Sequence, residues 1–138
     1  MSKGTLIFAS WLLACIATVG SLFFSEVMAY PPCALCWYQR ICMYPLVIIL
    51  LPAVISFDRS VLKYVFPLTG IGLFIAVYHN FVYYGAISES LSPCSMGVSC
   101  KAEFIKWLGF IDIPQLSLIA FAVIFILLFL LKGKVNEK

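Results

Sequence analysis

Four long runs of the chain carry no formal charge: Gly4–Ser25 with 22 residues, Ile41–Phe57 with 17, Tyr64–Ser88 with 25 and Ile113–Leu131 with 19. A helix that crosses a bilayer needs about 20 mainly apolar residues, within a range of about 17–25. The runs therefore predict four spans, over Thr5–Val27, Cys36–Phe57, Leu62–Tyr84 and Pro114–Leu131. No internal repeat and no low-complexity stretch breaks this pattern. Pro45, Pro52 and Pro67 fall inside spans and are expected to kink them, which packed membrane helices tolerate. Gly70-Ile-Gly72 reads as a small-residue packing site, not a phosphate loop.

Composition moves the reading from apolar helices to a membrane. The chain has 138 residues, is 64% hydrophobic and only 11% charged, and has a mean hydropathy of +1.08. Soluble domains are about 45–50% apolar and about a quarter charged. One core in so short a chain cannot hide that much apolar surface from water. A soluble enzyme and a disordered tail are excluded. The net charge of +3 is too small and too scattered for nucleic acid. The fold class is an all-α integral membrane protein in a single unit, 1–138.

An even number of spans puts both termini on one side. That side holds Lys3, Arg59, Lys63, Lys132, Lys134 and Lys138, against Arg40, Lys101 and Lys106 on the other. The positive-inside rule then makes the termini cytoplasmic. The Ala29–Leu35 and Gly85–Asp112 segments become two extracytoplasmic loops. Tyr30, Trp37, Tyr38, Tyr83, Tyr84 and Trp107 fall near the outer boundary, as an aromatic belt does. Val27-Met28-Ala29 resembles a signal-peptide cleavage site, but the apolar run before it is longer than a signal core, so the segment reads as a retained span. Glu26 and Asp112 read as interface anchors.

Four of the six cysteines lie in or beside the outward loops, as Cys33-Ala-Leu-Cys36 and as Cys94 and Cys100 with five residues between them. Paired cysteines on the oxidising side of a membrane read as disulfides. Pro31-Pro32 precedes the first pair, and Pro favours the first turn of a helix. Cys33 and Cys36 thus sit at the N-terminus of the second span, where unpaired N–H groups and the helix dipole favour a thiolate. Cys15 and Cys42 lie within spans and read as inert packing residues.

Arg40 falls on the face of Cys33 and Cys36, within an arc of about 60°, and about 10 Å further along the axis than Cys33. A charged residue inside a span marks function by default. The plain alternative is a snorkelling anchor. His79, the single histidine, lies about 7 Å from the outer end of the third span. It either hydrogen-bonds a ligand carbonyl, relays a proton, or is satisfied by a neighbouring helix.

Two outward dithiol pairs suggest an electron relay by thiol–disulfide exchange. The Cys94/Cys100 pair, on the more accessible loop, meets a soluble protein. The Cys33/Cys36 pair meets a lipid-soluble two-electron acceptor, for which a quinone is the obvious choice. No C-x-x-C-H haem motif offers another exit.

The strings Ala9-Ser-Trp11, Gly20-Ser-Leu-Phe-Phe-Ser-Glu26, Pro32-Cys-Ala-Leu-Cys-Trp-Tyr-Gln-Arg40, Met43-Tyr-Pro-Leu46, the Cys94–Cys100 loop and Gly109-Phe-Ile-Asp-Ile-Pro114 closely resemble the DsbB/BdbC family of disulfide bond formation proteins, in its short Bacillus-type branch. The resemblance covers nearly the whole chain. It implies a four-helix bundle that reoxidises a DsbA-like (BdbD-like) thioredoxin-fold partner and passes the electrons to quinone, menaquinone in a Bacillus-like host, or else ubiquinone. It implies that Cys94 forms the mixed disulfide with the partner and that Cys100 resolves it or exchanges with Cys33. Cys36 is implied to be the thiolate facing the quinone, Arg40 to stabilise the reduced quinone, and His79 to line its pocket. Cys15 and Cys42 match no functional position of the family. The short spacing of Cys94 and Cys100 departs from the long-loop branch.

Three rivals make different predictions. A structural scaffold needs only inert disulfides and leaves the shared face of Cys33, Cys36 and Arg40 unexplained. A zinc site from the four outward cysteines suits the C-x-x-C, but not the second spacing or the compartment. A quinone-epoxide reductase relative is expected to carry its C-x-x-C near the end of the last span, and Ile113–Leu131 has no cysteine.

Overall fold

A computed structural model describes residues 1–95, 97, 99, 100 and 112–137. Lys101, Lys106, Trp107 and the Gly109–Ile111 part of the family string, as well as Lys138, lie outside the described residues. The described chain is helical, with α1 over Lys3–Leu22, α2 over Ala34–Ile55, α3 over Leu62–Tyr83 and α4 over Ile113–Asn136. All four are long and apolar enough to cross a membrane. At 1.5 Å per residue, α2 and α3 with 22 residues each match a hydrocarbon core of about 30 Å.

The ends show what hydropathy does not. Ser2 caps α1 by accepting the Thr5 N–H at 3.2 Å. Beyond Leu22 the helix widens into a π-turn, Phe23–Val27. Ala29 then takes a positive φ of 56°, and the chain reverses toward α2. Pro31 and Pro32 precede α2 rather than forming its first turn, and Cys33 is its N-cap. Asp58 opens the turn into α3, its carboxylate accepting the Ser60 N–H at 2.9 Å. Pro45 and Pro52 lie inside α2 and Pro67 inside α3 without interrupting either helix. Asp112 is buried, and it is the N-cap of α4 rather than an interface anchor. Its backbone N–H donates to Gln115 Oε1 at 3.3 Å, with Pro114 in the first turn. α4 continues past Leu131 to Asn136, since lysines in a last turn suit the helix dipole.

Each helix packs along its sequence neighbours, and α1 also packs on α4, which closes the ring. The seam is regular. Phe121, Ile124, Leu128, Leu131 and Val135 of α4 alternate steps of three and four, and they meet Leu46, Leu50 and Ala53 of α2 with Leu6, Ile7 and Ala14 of α1. The outer face remains apolar: Ile16, Ile48, Ile71, Phe74, Ile126 and Phe129 are exposed, as lipid contact requires. Polar ties cross between helices. Trp11 Nε1 donates to the Val47 carbonyl at 3.1 Å, and Asn80 Nδ2 donates to the Pro114 carbonyl at 3.0 Å. Gly72 lets α4 approach α3: a Cβ there would fall inside the Phe121 ring.

Candidate active site

At the end of the bundle where α2 begins, a second small core gathers Cys33, Leu35, Val82, Cys94 and Cys100. Cys33 has extended backbone, and its Sγ accepts the Cys36 backbone N–H at 3.4 Å. A side-chain acceptor at this position satisfies an otherwise unpaired donor of the first turn. Here that acceptor is sulfur. The Sγ atoms of Cys33 and Cys36 are hydrogen-bonded at 3.1 Å, and His79 Nε2 lies 3.7 Å from Cys33 Sγ. These contacts hold the Cys33 thiol well below its ordinary value. Hydrogen bonding with the Cys36 thiol is the largest cause, burial opposes it, and His79 adds to the lowering. The resemblance gives the thiolate to Cys36, whereas in this arrangement the donors converge on Cys33.

Cys94 and Cys100 form a disulfide, with Cα atoms 5.5 Å apart. Both are only 3% exposed, so the pair is not the accessible loop site expected from sequence. The reason is local. Two short 3-10 turns, Glu89–Leu91 and Pro93–Ser95, fold the segment back against α2. Ser92 Oγ accepts the Cys94 N–H at 3.3 Å. Glu89 Oε1 accepts the Cys100 N–H at 2.8 Å and the Ser99 hydroxyl. The sulfurs of Cys33, Cys94 and Cys100 all lie within 4.8 Å of one another. Cys33 therefore touches both redox pairs. Cys33, Cys36 and His79 likewise place their donor atoms within 4.8 Å. The disulfide takes Cys94 and Cys100 out of the zinc site weighed from the sequence, because disulfide sulfurs are not thiolate ligands.

Beside these sulfurs a cavity of about 400 Å³ opens between α1, α2 and α4. Leu13, Ile16, Ala17 and Met43 contribute apolar wall, while Cys33, Cys36, Arg40, Tyr44, His79 and Cys100 also border it. Arg40 reaches it from the cysteine face of α2. Its Nε donates to Ser21 Oγ at 2.9 Å, a second guanidinium N–H donates to the Ser21 carbonyl at 3.1 Å, and the group lies 5.2 Å from the Trp37 ring centroid. No carboxylate is among these partners, so the charge stands beside the cavity uncompensated by them. Tyr44 Oη is buried and has no hydrogen-bond partner among the described residues. His79 is 2% exposed, and both ring nitrogens are engaged within the protein, with Gln39 Nε2 lying 3.0 Å from Nδ1. Cys42 is buried in the main core, and Cys15 is half-buried on α1. Neither borders the cavity.

Sequence reasoning missed Gln39, Glu89, Ser21 and Tyr44. Gln39 carried a signal: a buried amide beside a membrane Arg needs a partner, and His79, the single histidine, lies at a similar depth. Glu89 and Ser21 read as an ordinary loop acid and a small helix residue, and nothing in the string distinguishes them.

The chain is similar to known proteins along its length. The family described as disulfide bond formation protein DsbB matches residues 3–131. Disulfide bond formation protein C of Bacillus subtilis is 49% identical over 131 residues, covering 95% of each chain. Probable disulfide formation protein C 2 of Bacillus cereus is 48% identical over 121 residues, covering 88% of this chain and 86% of the relative. A probable disulfide formation protein of Oceanobacillus iheyensis is 43% identical over 129 residues, covering 93% and 89%. No solved structure matches the chain. With a C-x-x-C at a helix N-terminus packed against the Cys94–Cys100 disulfide, and with this match along nearly its whole length, the chain belongs to the DsbB family of disulfide bond formation proteins and is a membrane thiol–disulfide oxidoreductase.

Proposed function

We propose that the chain reoxidises a DsbA-like (BdbD-like) thioredoxin-fold dithiol protein outside the membrane and passes the electrons to membrane quinone. The observation that carries this reading is the position of Cys33, whose sulfur lies within 4.8 Å of the loop disulfide and 3.1 Å from Cys36 at the cavity edge. The partner's dithiol reduces the Cys94–Cys100 disulfide and leaves oxidised. A Cys100 thiolate then attacks Cys33 of a Cys33–Cys36 disulfide, and Cys36 leaves as thiolate. Cys94 attacks Cys100 in turn, and Cys33 leaves. The loop disulfide is restored, and two electrons rest on Cys33 and Cys36. Of the two protons released by the loop thiols, Cys36 takes one and solvent the other. This exchange would leave Cys94–Cys100 closed and Cys33 and Cys36 as separate thiols, a bonding that agrees with the one seen here.

The cavity suits a quinone. Its volume falls in the range of small-molecule sites, about 300–1,000 Å³, and its wall is mainly apolar. Tyr44 Oη is a buried donor with no acceptor among the described residues, a place that a ring carbonyl would fill. Arg40 supplies positive charge where a reduced oxygen would be anionic. Bound there, the quinone supplies a two-electron, two-proton acceptor. Menaquinone is the proposed native form, with ubiquinone the alternative. The six-to-three charge asymmetry supports cytoplasmic termini and an outward-facing relay.

Purified full-length protein given a reduced thioredoxin-fold dithiol is expected to bleach the absorbance of a menaquinone or ubiquinone analogue, and Cys36→Ser is expected to abolish this turnover. Absence of turnover by the wild type with both quinone classes and several partners, its disulfide intact, would return the chain to the scaffold reading.

A further inference from the structure

His79 lies between two groups whose chemistry fixes where its proton sits. Gln39 Nε2, a donor only, is 3.0 Å from His79 Nδ1, and Gln39 is 6% exposed. Nδ1 must then accept, so in the neutral ring the proton is on Nε2. That atom lies 3.7 Å from Cys33 Sγ. A second-shell partner on one ring nitrogen setting the tautomer of the other is a general device. We infer that Gln39 is a positioning residue: it fixes the Nε2–H tautomer of His79, which donates a hydrogen bond to Cys33 sulfur and stabilises it as the leaving thiolate of the internal exchange.

The inference rests on the exchange proposed above and deepens it at one step. When Cys94 attacks Cys100 of the Cys33–Cys100 disulfide, the Cys94–Cys100 bond forms and the bond to Cys33 breaks. Cys33 keeps the electron pair of the broken bond, and no electrons enter or leave the protein. The new charge is met by three hydrogen bonds: the Cys36 backbone N–H, the Cys36 thiol and His79 Nε2–H. The first two come with the C-x-x-C itself. The third depends on Gln39, one turn further along the same helix. With the opposite tautomer, a lone pair would face the new thiolate and repel it.

The single histidine makes the test direct. Full-length protein with a histidine-free affinity tag and ¹⁵N-histidine gives one pair of ring-nitrogen signals. The wild type is expected to show Nε2 protonated and Nδ1 bare. Gln39→Leu is expected to mix the tautomers, and Gln39→Glu, an acceptor facing Nδ1, to protonate Nδ1. In Gln39→Leu, with both pairs first oxidised, the internal exchange, started by brief dithiothreitol reduction of the loop pair and read by acid quench and peptide mapping, should slow about threefold, the effect of about one pKa unit on the leaving thiol at a Brønsted sensitivity of about 0.5. An Nδ1–H tautomer in the wild type overturns the inference without any variant. An unchanged tautomer in both Gln39 variants overturns it too. Neither readout involves quinone or the protein partner, so failure of the quinone reading is seen separately.

Discussion

An N-cap residue contributes by accepting a hydrogen bond, and a thiolate accepts better than a thiol. Cys33 occupies that position at α2, so the first turn of the helix and the redox chemistry favour the same charged form. Its depressed thiol pKa sets a sign. The stabilisation it gives the folded dithiol is complete above the ordinary thiol value and is lost as pH falls through the lowered one. In the reduced protein, the thiolate absorbance near 240 nm that disappears with Cys33→Ser should therefore persist well below about pH 8.5, the unperturbed value. Titration of that signal at the ordinary value would contradict the convergence of donors on Cys33. At this scale the sequence was legible where period applies: Cys33, Cys36 and Arg40 share a face by the helical repeat alone, and all three border the cavity. The partners of His79 were not legible. Gln39 is 40 positions away in the chain, and only the packing of α2 on α3 brings the two together.

Among the elements, hydropathy located four apolar helices because a membrane demands length and leaves little choice of conformation. It said less about their ends, where a few hydrogen bonds decide. The π-turn at Phe23–Val27 and the capping role of Asp112 have no hydropathic signature. The pair Gly70 and Gly72 was legible as a small-residue site, but the string did not say which glycine matters. Gly72 faces the buried Phe121 ring, while a Cβ at Gly70 would meet Phe125 Cε2 at an ordinary 3.7 Å. Gly72→Ala should cost about 1–3 kcal/mol by overpacking. Gly70→Ala should be neutral or gain from better helix propensity, by up to about 1 kcal/mol. Thermal unfolding in detergent compares them, and equal midpoints would show that α3 and α4 are not in the contact described.

For the molecule as a whole, the ring of helices brings the loop after α3 over the start of α2, so a disulfide distant in sequence lands on Cys33. This long-range placement was beyond the string: pattern gave two outward cysteine pairs, and only the folded loop shows them in contact. Burial of Cys94 and Cys100 also means that the proposed exchange with a protein partner requires this disulfide to become exposed first. The proposed relay takes electrons at the Cys94–Cys100 disulfide and hands them on through Cys33, so direct exchange at Cys33 is what it stands on. The most direct measurement is mild oxidation of Cys36→Ser/Cys94→Ser protein in membranes, followed by non-reducing peptide mapping. The account predicts a Cys33–Cys100 disulfide as the main product. Free, alkylatable Cys33 and Cys100 in a folded, membrane-inserted chain would contradict it.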